Sequence, residues 1–374
     1  MNVELTERQA LLVLNALPNI GPITLNRLLE ELGGDPRAVF SAGARRLEMV
    51  RGVCPVISAT IGAWQQHFDL AREEERMAQS GADFITTHDA GYPKLLQEIN
   101  DPPIALYRKG RYEFGQPCIA IVGSRRTTLY GQTTAKKLAA ELVRLGFCIV
   151  SGLARGIDTA AHEGALSVGG KTAAILGCGI DIIHPPENLE LYRRIEAEGV
   201  ILSEFPFGRR ADRQSFPMRN RVVAGICEAT VVVETDVAGG AMITARFAGE
   251  QGRLIYAVPG RIDQPTSAGC HQLIRDGATL LTGVDDILSE LNYLDGLRPQ
   301  PIPDKEGAPP AAPSGLSPDE ATVIACFAGG AILTPDALAT QTGLPAAKVS
   351  ATLMMLELRR FVAKRADGAF EARS

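Results

Sequence analysis

Thirteen residues, Arg209-Arg-Ala-Asp-Arg213-Gln-Ser-Phe216-Pro-Met-Arg219-Asn220-Arg221, hold five arginines, one acid and one phenylalanine. Guanidinium groups neutralise phosphates, and an aromatic face offers a stacking platform that tolerates any base. Two glycine turns accompany the run, each straight after a β-branched stretch: Ile121-Val-Gly123-Ser124-Arg125 and Ile149-Val-Ser151-Gly152. A third, Gly239-Gly240, opens an apolar helical segment. The chemistry these residue types support is binding of a phosphate-bearing polymer with bases free to stack.

The elements that position them alternate in kind. Runs of strand character at Cys118–Val122, Cys148–Ser151, Thr172–Leu176, Val200–Ser203, Thr230–Glu234, Arg253–Val258 and Thr279–Thr282 are separated by amphipathic stretches. Strands alternating with helices predict a doubly wound, mostly parallel α/β sheet, extended and Rossmann-like, across residues 86–295. Ligands of such sheets bind at the carboxyl ends of the strands, where the glycine turns and the arginine run belong. The run is expected to be a loop after Val200–Ser203, with a helix over Arg221–Glu228.

Flanking segments differ. Residues 1–85 read as helical, and Leu17-Pro-Asn-Ile-Gly21-Pro-Ile resembles a helix-hairpin-helix turn that aims a helix N-terminus at a phosphate. Pro22 removes one donor from such a site. Residues 296–315 are rich in proline and read as a linker. In 316–374, a capped start at Ser317, a helix-turn-helix cadence after Thr334 and a terminal hairpin suggest a winged helix. Its six acids match its six bases, so protein contact is expected there more than DNA contact.

Bulk properties are those of a globular protein: 374 residues, 45% hydrophobic, formal net charge −5. DNA binding therefore needs a local basic patch against an acidic background. Seven scattered cysteines at no metal-ligand spacing predict a reducing, cytoplasmic location and no metal site. No apolar run approaches a membrane span, and no signal-peptide pattern opens the chain.

Three nucleotide motifs fail on inspection, so no cofactor is expected. Gly123-Ser-Arg-Arg lacks the second glycine of a dinucleotide fingerprint, and Gly177-Cys-Gly179 lacks the last. Gly164-Ala-Leu-Ser-Val-Gly-Gly170-Lys171-Thr172 has one residue too many for a phosphate loop and precedes its strand. Asp158 and His162 have helical spacing, but such a pair more often braces a helix than does chemistry. No catalytic residue is predicted.

In order along the chain, Tyr92-Pro93-x-Leu95-Leu96, Asp101-Pro-Pro-Ile-Ala-Leu-Tyr-Arg-Lys-Gly110, Ile121-Val-Gly-Ser-Arg125, Ser151-Gly-Leu-Ala-Arg-Gly-Ile-Asp158-Thr-Ala-Ala-His162, Ser203-Glu204, Phe216-Pro-x-Arg219-Asn220-Arg221, Gly239-Gly240-Ala-Met-Ile-Thr244 and Ala257-Val-Pro259-Gly260 resemble the DNA-processing protein A (DprA/Smf) family over residues 85–290. The resemblance implies a terminal sterile-alpha-motif-like domain and a winged helix. It implies a non-enzymatic protein that protects incoming single-stranded DNA in natural transformation and loads the RecA recombinase. A homodimer through the Rossmann-like domain is implied too. Carried over by position, Gly123, Ser124, Arg125, Gly152, Arg213, Phe216, Arg219, Asn220, Arg221 and Gly240 form the DNA site, with Arg219 and Arg221 shared between DNA and structure. Two departures stand out: Gly239-Gly240-Ala replaces Ser-Gly-Ser, and Arg213 stands where lysine is common.

Two other readings are weaker. A nucleotide N-glycosidase of the lysine-decarboxylase-like group needs Pro-Gly-Gly-x-Gly-Thr-x-x-Glu, and the run from Ala238 lacks the second Gly-Thr and the glutamate. A transcription factor reading DNA through its winged helix meets that module's neutral charge.

Overall fold

The computed structural model describes residues 4–294, 316–327, 331–364 and 368–372. The proline-rich stretch 296–315 lies outside them.

Six helices open the chain: α1 (Glu7–Ala16), α2 (Pro22–Glu31), α3 (Pro36–Ser41), α4 (Ala44–Glu48), α5 (Pro55–Gly62) and α6 (Leu70–Ser80). Thr6 caps α1 in a reciprocal box with Gln9, and Asp69 caps α6. The first five helices contain one hairpin written twice. Pro22 begins α2 and Pro55 begins α5, each behind an extended cap residue (Gly21, Cys54) whose side chain makes no cap bond. Two residues before each cap the backbone turns left-handed, at Asn19 (φ 64°) and Gly52 (φ 99°). Leu14, Leu17 and Leu28 of the first copy are buried, as are Leu47, Val50 and Ile61, their counterparts in the second. The turn before Gly21 thus has a counterpart 33 residues on, in backbone and in buried positions.

The central domain follows as β1 (Asp83–Thr86), α7 (Lys94–Gln97), β2 (Ala105–Gly110), β3 (Cys118–Val122), α8 (Leu129–Arg144), β4 (Cys148–Ser151), α9 (Ile157–Ser167), β5 (Thr172–Leu176), α10 (Leu189–Glu198), β6 (Val200–Ser203), α11 (Ser215–Gly225), β7 (Ala229–Val232), α12 (Gly240–Glu250), β8 (Leu254–Ala257), α13 (Pro265–Arg275), β9 (Thr279–Leu280) and α14 (Val284–Glu290). The sheet order is β1-β2-β6-β5-β4-β3-β7-β8-β9. β6 through β9 run parallel, as the alternation predicts. β1 and β2 add an antiparallel edge, β2 pairing Tyr107 with Ser203 of β6. β1 begins at Asp83, so the sheet starts inside the stretch read as helical.

β3 to β7 are buried on every residue, which matches their unbroken apolar runs. One core continues from the helical domain into the sheet edge: Leu11, Leu14 and Trp64 cluster with Phe84, Tyr107, Ile201 and Tyr192.

The C-terminal module is α15 (Pro318–Ala325), β10 (Ile332–Leu333), α16 (Pro335–Thr342), α17 (Ala346–Leu358), β11 (Val362–Lys364) and β12 (Phe370–Ala372). Left-handed Gly343 (φ 68°) makes the turn between α16 and α17, and β11 pairs antiparallel with β12 as the wing. Val323, Phe327, Leu338, Leu353 and Val362 form its core. Among the described residues, no helix is long and apolar enough to cross a membrane.

Candidate nucleic-acid interface

Among the parallel strands β3 comes first in the chain; β4, β5 and β6 extend to one side, and β7 returns on the other. The loops after β3 and β7 therefore part at the switch in strand order, where open α/β sheets hold ligands. A cleft of about 440 Å³ opens there, and Gly123, Ser124, Arg125, Phe216, Arg219 and Gly240 are among its walls.

The loop after β3 is pinned from below by Glu234, which follows β7. Its carboxylate accepts from Thr127 Oγ1 (2.6 Å), Thr128 N (2.9 Å) and Thr128 Oγ1 (2.6 Å), while its carbonyl accepts from Ser124 N (2.5 Å). A Cβ at Gly123 would stand 2.5 Å from Ile157 Cγ1 and 2.8 Å from that same carbonyl. The loop is thus pressed onto its neighbours, and Arg125 and Arg126 project from it exposed. Glu234 was not among the predicted site residues; its only signal is an acid ending an apolar strand.

Across the cleft lies α11, and here the sequence expectation needs correcting. The helix begins at Ser215, so Phe216, Arg219, Asn220 and Arg221 are helical rather than in a loop before a helix at Arg221. Pro217 falls in the first turn, where an N–H has no helical acceptor to lose. The Phe216 ring carries the Arg125 guanidinium 4.8 Å from its centroid, a cation–π pair that joins the β3 loop to α11. On the other side its edge faces Gly177, where a Cβ would stand 3.2 Å from Cδ1.

Arg219 and Arg221 are buried, with side chains 6% and 3% exposed. Arg221 donates to both oxygens of Glu204 (2.6 and 2.7 Å) and to the Asp101 carbonyl (2.6 Å). That pair braces α11 against the β6 loop, which gives Arg221 to structure. Arg219 lies over Gly152, where a Cβ would coincide with its Nη1. Its nearest acid is Asp158 at 3.8 Å, whose Oδ2 accepts from Gly152 N (3.1 Å) and Ala154 N (3.3 Å). Burial pushes the Asp158 carboxyl up, against the opposing pull of Arg219. Burial also draws the Arg219 guanidinium down, and its Nε has no hydrogen-bond partner. Asn220 Nδ2 donates to the Gly240 carbonyl (3.3 Å), linking α11 to the first turn of α12. Cap Gly239 offers no side-chain bond, so the N–H groups of that turn open on the cleft.

Arg213 is exposed on the loop before α11 and lies outside the walls of the cleft. The wall does include Arg126, and a smaller recess beside Phe216 adds Arg155 and His184. Arg155 is paired with Glu187. His162 is buried in α9, its Nδ1 2.7 Å from Thr172 Oγ1, and faces structure rather than solvent. Among the described residues no cluster of three metal-ligating side chains occurs.

Comparison with known proteins places the chain in a family. Residues 83–292 match the model of the DNA recombination-mediator protein A family, and residues 307–368 match the DprA winged helix domain. Protein Smf of Synechocystis is 37% identical over 294 residues, which are 77% of this chain and 74% of that one. DNA processing protein DprA of Streptococcus pneumoniae is 41% identical over 206 residues, 55% of this chain and 73% of that one. The crystal structure of DprA from Streptococcus pneumoniae superposes with a TM-score of 0.67 at 32% identity, covering 77% of this chain and 99% of that one. DNA processing protein A of Helicobacter pylori, solved for its single-stranded DNA binding mode, gives 0.51 at 31% identity over 56% of this chain and 96% of that one. Fold, motif order and both matched domains agree: the chain belongs to the DNA recombination-mediator protein A (DprA/Smf) family.

Proposed function

We propose that this chain binds single-stranded DNA in the cleft between the β3 loop and α11, as a binding protein rather than an enzyme. Arg125 and Arg126 meet phosphates, the open turn of α12 receives a further oxygen, and the face of Phe216 stacks a base as Arg125 swings onto the backbone. Arg213 contacts the strand where it leaves the cleft. The observation that carries the reading is the Arg125–Phe216 pair at 4.8 Å, one cation and one ring set together on a cleft wall. A cation that neutralises phosphate and a ring that accepts any base suit a single strand of any sequence. The relatives named DNA processing proteins, one studied for single-stranded DNA binding, support the same reading. In cells the bound strand is DNA taken up in natural transformation, handed in the cytoplasm to the RecA recombinase by a homodimer joined through the sheet domain.

The test is a titration of single- against double-stranded DNA of one length at several salt concentrations. Tighter binding of the single strand, falling steeply as salt rises, is expected. Equal affinity for duplex at every salt concentration refutes the reading.

A further inference from the structure

We infer that the N-terminal helical domain is a strut that sets the stem of the arginine-rich segment, with Glu73 of α6 as its chief positioning residue. The inference rests on the single-strand reading above and names what aims one half of that site.

The segment leaves β6 through residues 204–208, and three side chains of the helical domain hold this stem by its backbone. Asn15 Nδ2 of α1 donates to the Glu204 carbonyl (2.8 Å). Glu73 Oε1 accepts from Phe207 N (2.9 Å) and also from Tyr107 Oη (2.8 Å) of edge strand β2. Arg76 Nη1 donates to the Phe207 carbonyl (3.3 Å). The Phe207 ring meets Tyr107 edge to face, centroids 5.7 Å apart. Beyond the stem, Asp181 takes Gly208 N (2.9 Å), and Asp212 takes Gln214 N (2.8 Å) and Ser215 N (2.7 Å) to start α11. Arg209, Arg210 and Arg213 are exposed between these two anchored points.

Glu73 is 4% exposed, and both groups that hydrogen-bond to it are neutral. Burial pushes its carboxyl up, against the pull of the Phe207 N–H, the Tyr107 hydroxyl and Arg76, so the carboxylate is held there at a desolvation cost. What the carboxylate does supply is one oxygen shared between an amide of the stem and a hydroxyl of the sheet edge. That oxygen locks the stem to the edge strand, and everything downstream inherits the direction.

The experiment uses the full chain with Glu73→Ala, Glu73→Gln, Arg76→Met and Arg213→Ala. Amide hydrogen exchange without DNA is read over residues 205–214, and single-strand affinity is read alongside. Glu73→Ala is expected to speed exchange across the stem and weaken binding, and Glu73→Gln, which keeps the accepting oxygen, to restore most of both. Combined with Arg213→Ala, Glu73→Ala should add little further loss of affinity, since a misdirected Arg213 is already lost. Arg76→Met, at the domain surface, should loosen the stem in the same direction even where Glu73→Ala folds poorly. Unchanged exchange over 205–214 in Glu73→Ala and Arg76→Met overturns the strut, whatever binds the cleft. So does loss of affinity that multiplies in full with Arg213→Ala. If Arg213→Ala and Glu73→Ala both leave affinity intact while the stem loosens, the fault lies with the single-strand reading of this segment.

Discussion

Replacing Arg221 by Ala separates arginines that build the site from those that touch the ligand. Arg221 is 3% exposed and makes two bonds to Glu204 and one to the Asp101 carbonyl. Glu204 is 9% exposed and pairs with Arg221, so the truncation strands a buried carboxylate with no other ion pair among the described residues. Breaking a buried pair by removing one partner costs about 3–5 kcal/mol. For a sheet domain of this size that is a fall in Tm of roughly 6–20 °C, at about 2–4 °C per kcal/mol. Replacing both partners, as Glu204→Gln with Arg221→Met, should recover much of the loss, because the fully buried charge is gone and only the part-exposed Asp101 carboxylate, 3.4 Å from Arg221 Nε, loses its partner. Thermal unfolding by circular dichroism reads all three proteins. A Tm within a degree or two of wild type in Arg221→Ala, with lower affinity for DNA and a shallower salt dependence, would show that Arg221 belongs to the ligand.

Three further outcomes follow from the same geometry. Arg125→Ala and Arg213→Ala should each leave Tm near wild type and reduce the slope of log affinity against log salt by about one, if each meets one phosphate; unchanged slopes in both remove them from the interface. Phe216→Ala should weaken single-strand binding by roughly 1–3 kcal/mol at constant salt slope, since stacking releases no counterion; intact affinity with a lowered Tm makes the ring core instead. Burial, helped by Arg219, holds the His162 imidazole down to about 3, below its unfolded value of about 6.5, so protonation favours the unfolded chain. Stability tied to His162 is therefore complete above pH of about 6.5 and is lost as pH falls toward 3, whereas Asp158, pushed up by burial, works in the opposite direction. Comparing wild type with His162→Gln isolates the histidine: the wild-type advantage in unfolding free energy should shrink on acidification, and parallel curves from pH 7 to 4 would discount it.

Much of this molecule was legible as pattern. All seven central strands lie within two residues of their predicted bounds, and the five that are fully buried write themselves as short β-branched runs. The edge strands Asp83–Thr86 and Ala105–Gly110 escaped: one has four residues, and the other ends in Arg108-Lys109-Gly110. Helix α11 starts at Ser215 rather than Arg221, with Pro217 in its first turn, where it costs no bond. At the site, types were readable and roles were not. Arg125 and Arg221 look alike as letters, and only a carboxylate seventeen residues upstream, folded back onto Arg221, tells them apart. Glu234 and Arg126 were missed for a related reason. An acid at a strand end has no signature until the threonines it holds are known.

The shared core between the helical domain and the sheet edge bears on how such proteins exchange parts. Leu11, Leu14 and Trp64 pack with Phe84, Tyr107 and Ile201, so a boundary drawn at the end of α6 would cut through a hydrophobic interior and leave the Tyr107 hydroxyl without Glu73. A transplanted helical domain must bring β1 and β2 with it, or find an edge strand that presents the same side chains. The winged helix forms its own core from α15 to β12 and meets the sheet domain through the Arg261–Glu371 ion pair (3.0 Å), so its gain, loss or replacement breaks a polar contact and opens no hydrophobic interior. One end of the chain is therefore free to be reshuffled between lineages, while the other must change in step with the cleft it supports.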